Sequence, residues 1–256
     1  MDASHALQGR LHDFPGGLHL DYHKDLATGT PIRQAPVPPR LVLPLQQHIG
    51  APAEPVVEIG QRVLRGQVIA RAQGYVSLPV HASSSGTVVA IGEQPVAHPS
   101  GIPARAIVIE TDGLDEAAAP SWTPLPDYRQ AEPHMLRDIV REAGIAGLGG
   151  ATFPSFIKLN PGRPVDALVI NGAECEPYIS CDQMLMTENA QEIVAGIGVM
   201  LHALQAPRCI IGVEDNKPAA IAALEKAAEV DGRIIESIAE EKGVAAEVAA
   251  WAGLGA

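Results

Sequence analysis

The sequence predicts an α/β protein in which a small all-β module precedes a largely parallel-sheet domain. Three observations carry this. Residues 37–112 run in short β-branched stretches punctuated by Gly and Pro, the pattern of small sandwiches and barrels. Residues 135–236 alternate helix-period and strand-like apolar runs, the order that gives parallel strands joined by helical crossovers. Hydrophobic residues make up 46% of the 256 residues and aromatic residues only 4%, so a core can form and it is aliphatic.

In chain order, residues 1–36 read as a polar, irregular segment with a Gly16-Gly17 pair. The β module, 37–112, is a weak internal repeat: Pro55–Ala70 and Pro79–Gly92 each carry short β-branched runs broken by Gly. Residues 113–134 are rich in Pro and Ala and read as a linker. A helix follows, with Met135, Leu136, Ile139, Val140 and Ala143 on one face and Arg137, Asp138, Arg141 and Glu142 opposite. Pro133 suits its first turn and Gly144 its end. After a Gly-rich loop, Val165–Ile170 reads as a buried strand by its apolar run. Glu188–Leu204 reads as a helix, Arg208–Val213 as a second buried strand, Asn216-Lys217-Pro218 as the opening of another helix, and Arg233–Ser237 as a third strand. Residues 237–256 carry no pattern that assigns a fold.

Bulk chemistry excludes several functions. The formal net charge of −12 repels phosphate backbones, so no nucleic-acid partner is expected. A local nucleotide pocket built on backbone N–H groups stays open. The most apolar stretch, Ile193–Val213, is broken by His202, Gln205, Pro207 and Arg208, so no direct membrane span is expected. The N-terminus has no apolar signal core, which predicts a cytoplasmic chain. Three cysteines, Cys175, Cys181 and Cys209, are too few and too scattered for a cubane cluster. They read as two loop thiols and one buried strand thiol, with no metal site.

Three elements carry candidate chemistry. Gly147, Gly149 and Gly150, followed by Ala151, let the backbone approach a ligand and aim N–H groups at a phosphate. The loop departs from a P-loop, lacking Lys-Ser/Thr after Gly149, and from a dinucleotide fingerprint, having Thr152 where Gly is needed. On pattern alone it reads rather as an ordinary helix-ending loop. Lys158, just beyond, is either a point charge for that phosphate or a surface lysine. Asn171, Glu174 and Glu176 sit directly after the first strand of the α/β domain, where ligands gather. They are placed to accept from ribose or ribityl hydroxyls, or they form a solvated loop.

Two resemblances follow from these residues. The β half-repeats look like the biotinyl/lipoyl-type barrel-sandwich fold. Carrier domains of that kind acylate a Lys at a hairpin tip, and no Lys occurs between Lys24 and Lys158. The tip falls at Ala72–Tyr75, so the module reads as a docking scaffold rather than a biotin or lipoate carrier. The set Gly149-Gly150-Ala151-Thr152-Phe153-Pro154, Lys158 and Asn171-x-x-Glu174-x-Glu176-Pro177 resembles the RnfC family, a component of the Rnf/Rsx-type electron-transport complexes. So do Phe14–His19, Leu41–Pro52 and Cys181–Met186. More distantly, the set is similar to the NADH/FMN-binding subunit of respiratory complex I. Against that pattern, Thr152 and Phe156 stand in place of Gly and add bulk near the loop, and Ala173 stands in place of Asp.

The resemblance implies FMN held by the Gly loop, with Lys158 near its phosphate. Asn171 and Glu174 would face the flavin, and Glu176 would face NADH. Hydride would pass from NADH to FMN and electrons onward singly to iron–sulfur centres. Partners would be the other subunits of a membrane complex, which would hold the chain peripherally on the cytoplasmic face of the bacterial inner membrane. The family's 4Fe–4S clusters need two cysteine runs and a further small domain, and their ligands are absent from these residues. The expectation is therefore a truncated chain, and the alternative is a docking fragment of that complex lacking flavin.

Overall fold

A computed structural model of the chain describes residues 20–148, 152–174 and 176–239. Gly149, Gly150, Ala151, Cys175, the Gly16-Gly17 pair and residues 240–256 of the tail lie outside the described residues. By internal contact the chain divides into two compact units, one of residues 35–162 and one of 20–34 with 163–239. The first element in chain order is a single helical turn, α1 (Asp25–Thr28), in the second of these.

The first unit is built on seven strands: β1 (Arg40–Pro44), β2 (Glu54–Pro55), β3 (Arg62–Val63), β4 (Val68–Arg71), β5 (Val80–His81), β6 (Gly86–Gln94) and β7 (Ala104–Thr111). Two antiparallel sheets form, in the orders β1-β7-β6-β3 and β2-β4-β5. This is the two-sheet β module that the punctuated β-branched runs predict. Alternation along the strands sends Val63, Ile69, Val88, Ile107 and Ile109 inward, each with no exposed surface. Burying each contributes about 1.5–3 kcal/mol. At Gly86 the β7 backbone comes so close that a Cβ would collide with the Glu110 carbonyl oxygen.

The segment read as a linker is partly laced to this module. Arg65 N–H donates to Glu116 O at 2.8 Å, Ala118 N–H returns to Arg65 O at 2.8 Å, and Ser84 Oγ donates to Asp115 at 2.8 Å. Helix α2 (Pro133–Glu142) then starts with Pro133 in its first turn. Gly144, at φ +70°, turns the chain out of it, a conformation that costs Gly nothing. Leu136 is buried, whereas Met135 is 43% exposed and drops out of the expected apolar face. A short helix, α3 (Ser155–Lys158), closes the unit.

The second unit is a three-stranded parallel sheet in the order β10-β9-β8, formed by β8 (Leu168–Asn171), β9 (Cys209–Glu214) and β10 (Ile234–Ala239). Three helices accompany it: α4 (Cys181–Glu188), α5 (Ala190–Leu204) and α6 (Pro218–Ala228). Central β9 is buried at every position, as its apolar run predicts. The expectation of a buried first strand needs correction. Among the described residues β8 lies at a sheet edge, with β9 as its one neighbour, and is half-buried. The expected Glu188–Leu204 helix begins at Ala190, and a separate helix, α4, precedes it. Met186, Val194, Ile197, Leu201, Ile211, Val213 and Leu224 form the core.

Candidate functional site

The strand-end site follows from sheet topology. β8 and β9 run parallel, so their carboxyl ends lie side by side. Gly172 N–H donates to Gly212 O at 2.7 Å. Any Cβ at Gly172 would meet that oxygen and Met186 Sδ at 2.9 Å. The loop that leaves β8 is therefore seated directly against β9. Asn171, exposed, accepts the Ala173 N–H on Oδ1 at 3.0 Å, an Asx-type turn that shapes the loop. Glu176 is exposed.

Glu174 is placed differently. It is 2% exposed. Its Oε1 accepts the Asp182 N–H at 2.7 Å, and its Oε2 lies 3.3 Å from Lys24 Nζ and 4.0 Å from Lys217 Nζ. Lys24 Nζ also donates to the Glu174 carbonyl oxygen. Lys217 is buried and pairs with buried Glu214 at 2.8 Å, and Glu214 accepts the Glu174 N–H at 3.2 Å. Two lysines and two glutamates thus form a charge-balanced network under the loop, which is what makes their burial tolerable. Glu174 stands behind the loop surface, with both oxygens committed to protein groups.

Neighbouring groups feel this network. Burial, with Glu174 and Glu176 nearby, raises the Asp182 carboxyl above its usual range. Burial, then Asp182 and Glu174, raise the Cys181 thiol. Ligand atoms of Glu174, Cys181 and Asp182 lie within 4.8 Å of one another, and the Glu174 oxygens also meet the Asp182 N–H and Lys24 Nζ. Glu174 is buried, whereas Cys181 and Asp182 are exposed. Cys209 on β9 is buried in apolar surroundings and pushed up to about 12. The expectation of a buried strand thiol matches Cys209, whereas Cys181 begins α4 rather than lying in a loop.

The Gly-rich loop belongs to the other unit. Its stems close on each other: Gly147 N–H donates to Phe153 O and Ser155 N–H to Ile145 O, both at 2.9 Å. Thr152 takes φ +43°, a left-handed conformation rare outside Gly. A Cβ at Gly147 would lie 3.6 Å from Lys158 Nζ. The described end of the loop therefore has a cation over bare backbone, which fits an anionic group. Lys158 Nζ also lies 5.8 Å from the Phe153 ring centroid. Phe156, the bulk expected near the loop, is 6% exposed. It is packed edge-on against Tyr75 with Arg141 above its ring at 5.1 Å. Arg141 in turn donates to Gly74 O at 3.1 Å. The hairpin tip at Ala72–Tyr75 is thereby fastened to the helices of its own unit. A hollow of about 260 Å³ opens beside the loop, lined by His48, Leu78, Ile145, Leu148 and Thr152 among others.

The residues singled out in the sequence fall on both units: Gly147 and Lys158 come together in one, Asn171 and Glu174 with Glu176 in the other. Sequence reading missed Lys24, Glu214 and Lys217. Lys217 carried a usable signal, because it follows the second parallel strand at the carboxyl edge of the sheet. Lys24 carried none, lying 150 residues from its partner.

Residues 12–114 match the model of the RnfC barrel sandwich hybrid domain, and residues 140–249 match that of the Nuo51 FMN-binding domain. Over 219 residues the chain is 52% identical to the RnfC protein of the ion-translocating oxidoreductase complex of Pseudomonas aeruginosa, covering 84% of this chain and 28% of that protein. The protein of the same name from Edwardsiella ictaluri is 48% identical, covering 88% and 28%. That of Vibrio cholerae serotype O1 is 44% identical, covering 90% and 30%. The chain thus spans less than a third of the length of these relatives. A crystal structure of a NAD+-reducing NiFe-hydrogenase in the H2-reduced state shares 27% identity over 44% of this chain and 21% of that one. Its TM-score of 0.38 is too low to inform the fold.

Proposed function

The chain belongs, over most of its length, to the RnfC family of ion-translocating oxidoreductase complexes, and on that membership we propose that it is an electron-input segment, taking hydride from NADH onto FMN and passing electrons onward to other subunits. The match of residues 140–249 to an FMN-binding domain carries the reading. FMN, when bound, supplies a centre that accepts a hydride and releases electrons singly. The chain's own residues bind and orient. Gly147, Gly149, Gly150 and Ala151 are the residues that would hold the phosphate through backbone N–H groups, and Lys158 would balance its charge. Asn171, exposed at the end of β8, faces the flavin. Glu176, exposed two residues beyond Glu174, faces NADH. Glu174 contributes by holding the loop's shape, since its carboxylate is committed to Lys24 and the Asp182 N–H.

In this reading the chain sits peripherally on the cytoplasmic face of the inner membrane, held by partner subunits. Among the described residues no helix is long and apolar enough to cross a membrane. Glu176→Gln tests the assignment. It removes a charge that faces NADH while leaving the flavin-facing groups intact. The expected result is unchanged FMN affinity with NADH reduction of bound FMN slowed by about tenfold or more, the size of one lost charged contact. An unchanged reduction rate removes Glu176 from the site.

A further inference from the structure

We propose that Lys24 is a positioning residue for the strand-end loop, and that residues 20–34 form a strap that presets Asn171 and Glu176 for their ligands. The proposal rests on the flavin and NADH reading above and adds to it a residue from the far end of the chain. Lys24 Nζ holds Glu174 twice, at its carbonyl oxygen and at Oε2. On the other side of Glu176, Tyr178 N–H donates to Tyr22 O at 2.7 Å. The Tyr178 ring stacks on His23, with centroids 5.0 Å apart and planes 25° from parallel. Residues 22–24 therefore grip the loop at both flanks of Glu176 and leave Glu176 itself exposed. The strap is anchored again downstream, where Ile32 N–H donates to both Glu188 oxygens at 3.1 Å.

Two features separate this from ordinary packing. α1 buries none of its residues, so the strap adds little hydrophobic stabilisation and its contacts are mainly polar. His23 at φ +49° and Tyr178 at φ +66° are both left-handed non-Gly residues facing each other across the grip. Strain of that kind persists where surrounding contacts over-determine it, and it collects at ligand clamps. Lys24 also supplies the second cation that balances Glu174 and Glu214 in the buried network. Its loss leaves Lys217 alone against two carboxylates and frees the loop to move away from β9.

The test is FMN titration of the full chain and of Lys24→Gln and Lys24→Arg, with melting temperature recorded for each. Lys24→Gln keeps a donor for the Glu174 carbonyl and removes the charge. The expected result is FMN affinity weakened by about tenfold, a normal coupling between two sites, with melting also lowered because buried Glu174 loses its nearer cation. Lys24→Arg restores most of the affinity, because the charge and the paired donors return. Lowered melting with unchanged affinity in Lys24→Gln makes Lys24 structural only and overturns the proposal. No FMN binding by the unsubstituted chain contradicts the flavin reading instead. If Lys24→Gln does not fold, hydrogen exchange in the unsubstituted chain decides. Coupling is reciprocal, so bound FMN slows exchange of the Ile32 amide, whose partner is Glu188. Unchanged exchange there overturns the strap.

Discussion

At the scale of single residues, the buried Lys217–Glu214 pair, with Glu174 beside it, fixes the strand-end loop. Both partners are 2% exposed, so neither charge has water to fall back on. Removing one partner of such a pair costs about 3–5 kcal/mol because the other is left buried and uncompensated. Lys217→Met is therefore expected to lower unfolding stability by about that amount in a denaturant titration. The double variant Lys217→Met/Glu214→Leu, which removes both charges, loses less. A single-variant cost below about 1 kcal/mol, the range of surface pairs, means the pair is not desolvated as described. Lys217 was visible in the sequence as the residue between the second predicted strand and a helix-starting proline. Its chemistry emerges once β9 is known to end at Glu214. Cys209 was legible from the start, since a cysteine within an apolar β-branched run has nowhere to go but the core.

At the scale of elements, β5 and α2 are joined through His81. The His81 ring would lie 3.2 Å from any Cβ on Gly144, at the end of α2, and Nε2 is buried without a hydrogen-bond partner among the described residues. Burial holds the imidazole below its usual value of 6.5, opposed by a hydrogen bond to the Glu142 backbone. The folded state thus prefers the neutral ring, while the unfolded chain takes up a proton near pH 6.5. Stability is full above that pH and falls as pH drops below it toward the lowered folded value. Melting curves from about pH 8 to about pH 5 are expected to show this decline, and His81→Leu is expected to flatten it. An identical pH dependence in His81→Leu assigns the decline to other groups. Element types were well marked by sequence: β9, α5 and α6 follow directly from apolar period and from Pro218. Strand depth was not, because an apolar run such as Val165–Ile170 reads the same at the centre of a sheet and at its edge. Only the order β10-β9-β8 shows that β8 has one neighbour among the described residues.

At the scale of the whole molecule, the sequence motifs placed the candidate residues at two chemically sensible points: a cation over a bare Gly backbone, and a strand-end loop with exposed Asn171 and Glu176. They did not show that Glu174 lies beneath that loop, nor that residues 20–34 fold with the α/β unit, because pairings 150 residues apart leave no local pattern. The central claim is that this chain binds FMN and reduces it with NADH. The most direct measurement is the absorbance spectrum of the purified chain, titrated with FMN and then given NADH without oxygen. Saturable flavin binding followed by bleaching of the flavin bands is the predicted result. Absence of bound flavin contradicts the claim and leaves the chain as a docking segment, and bound flavin that does not bleach contradicts its NADH half.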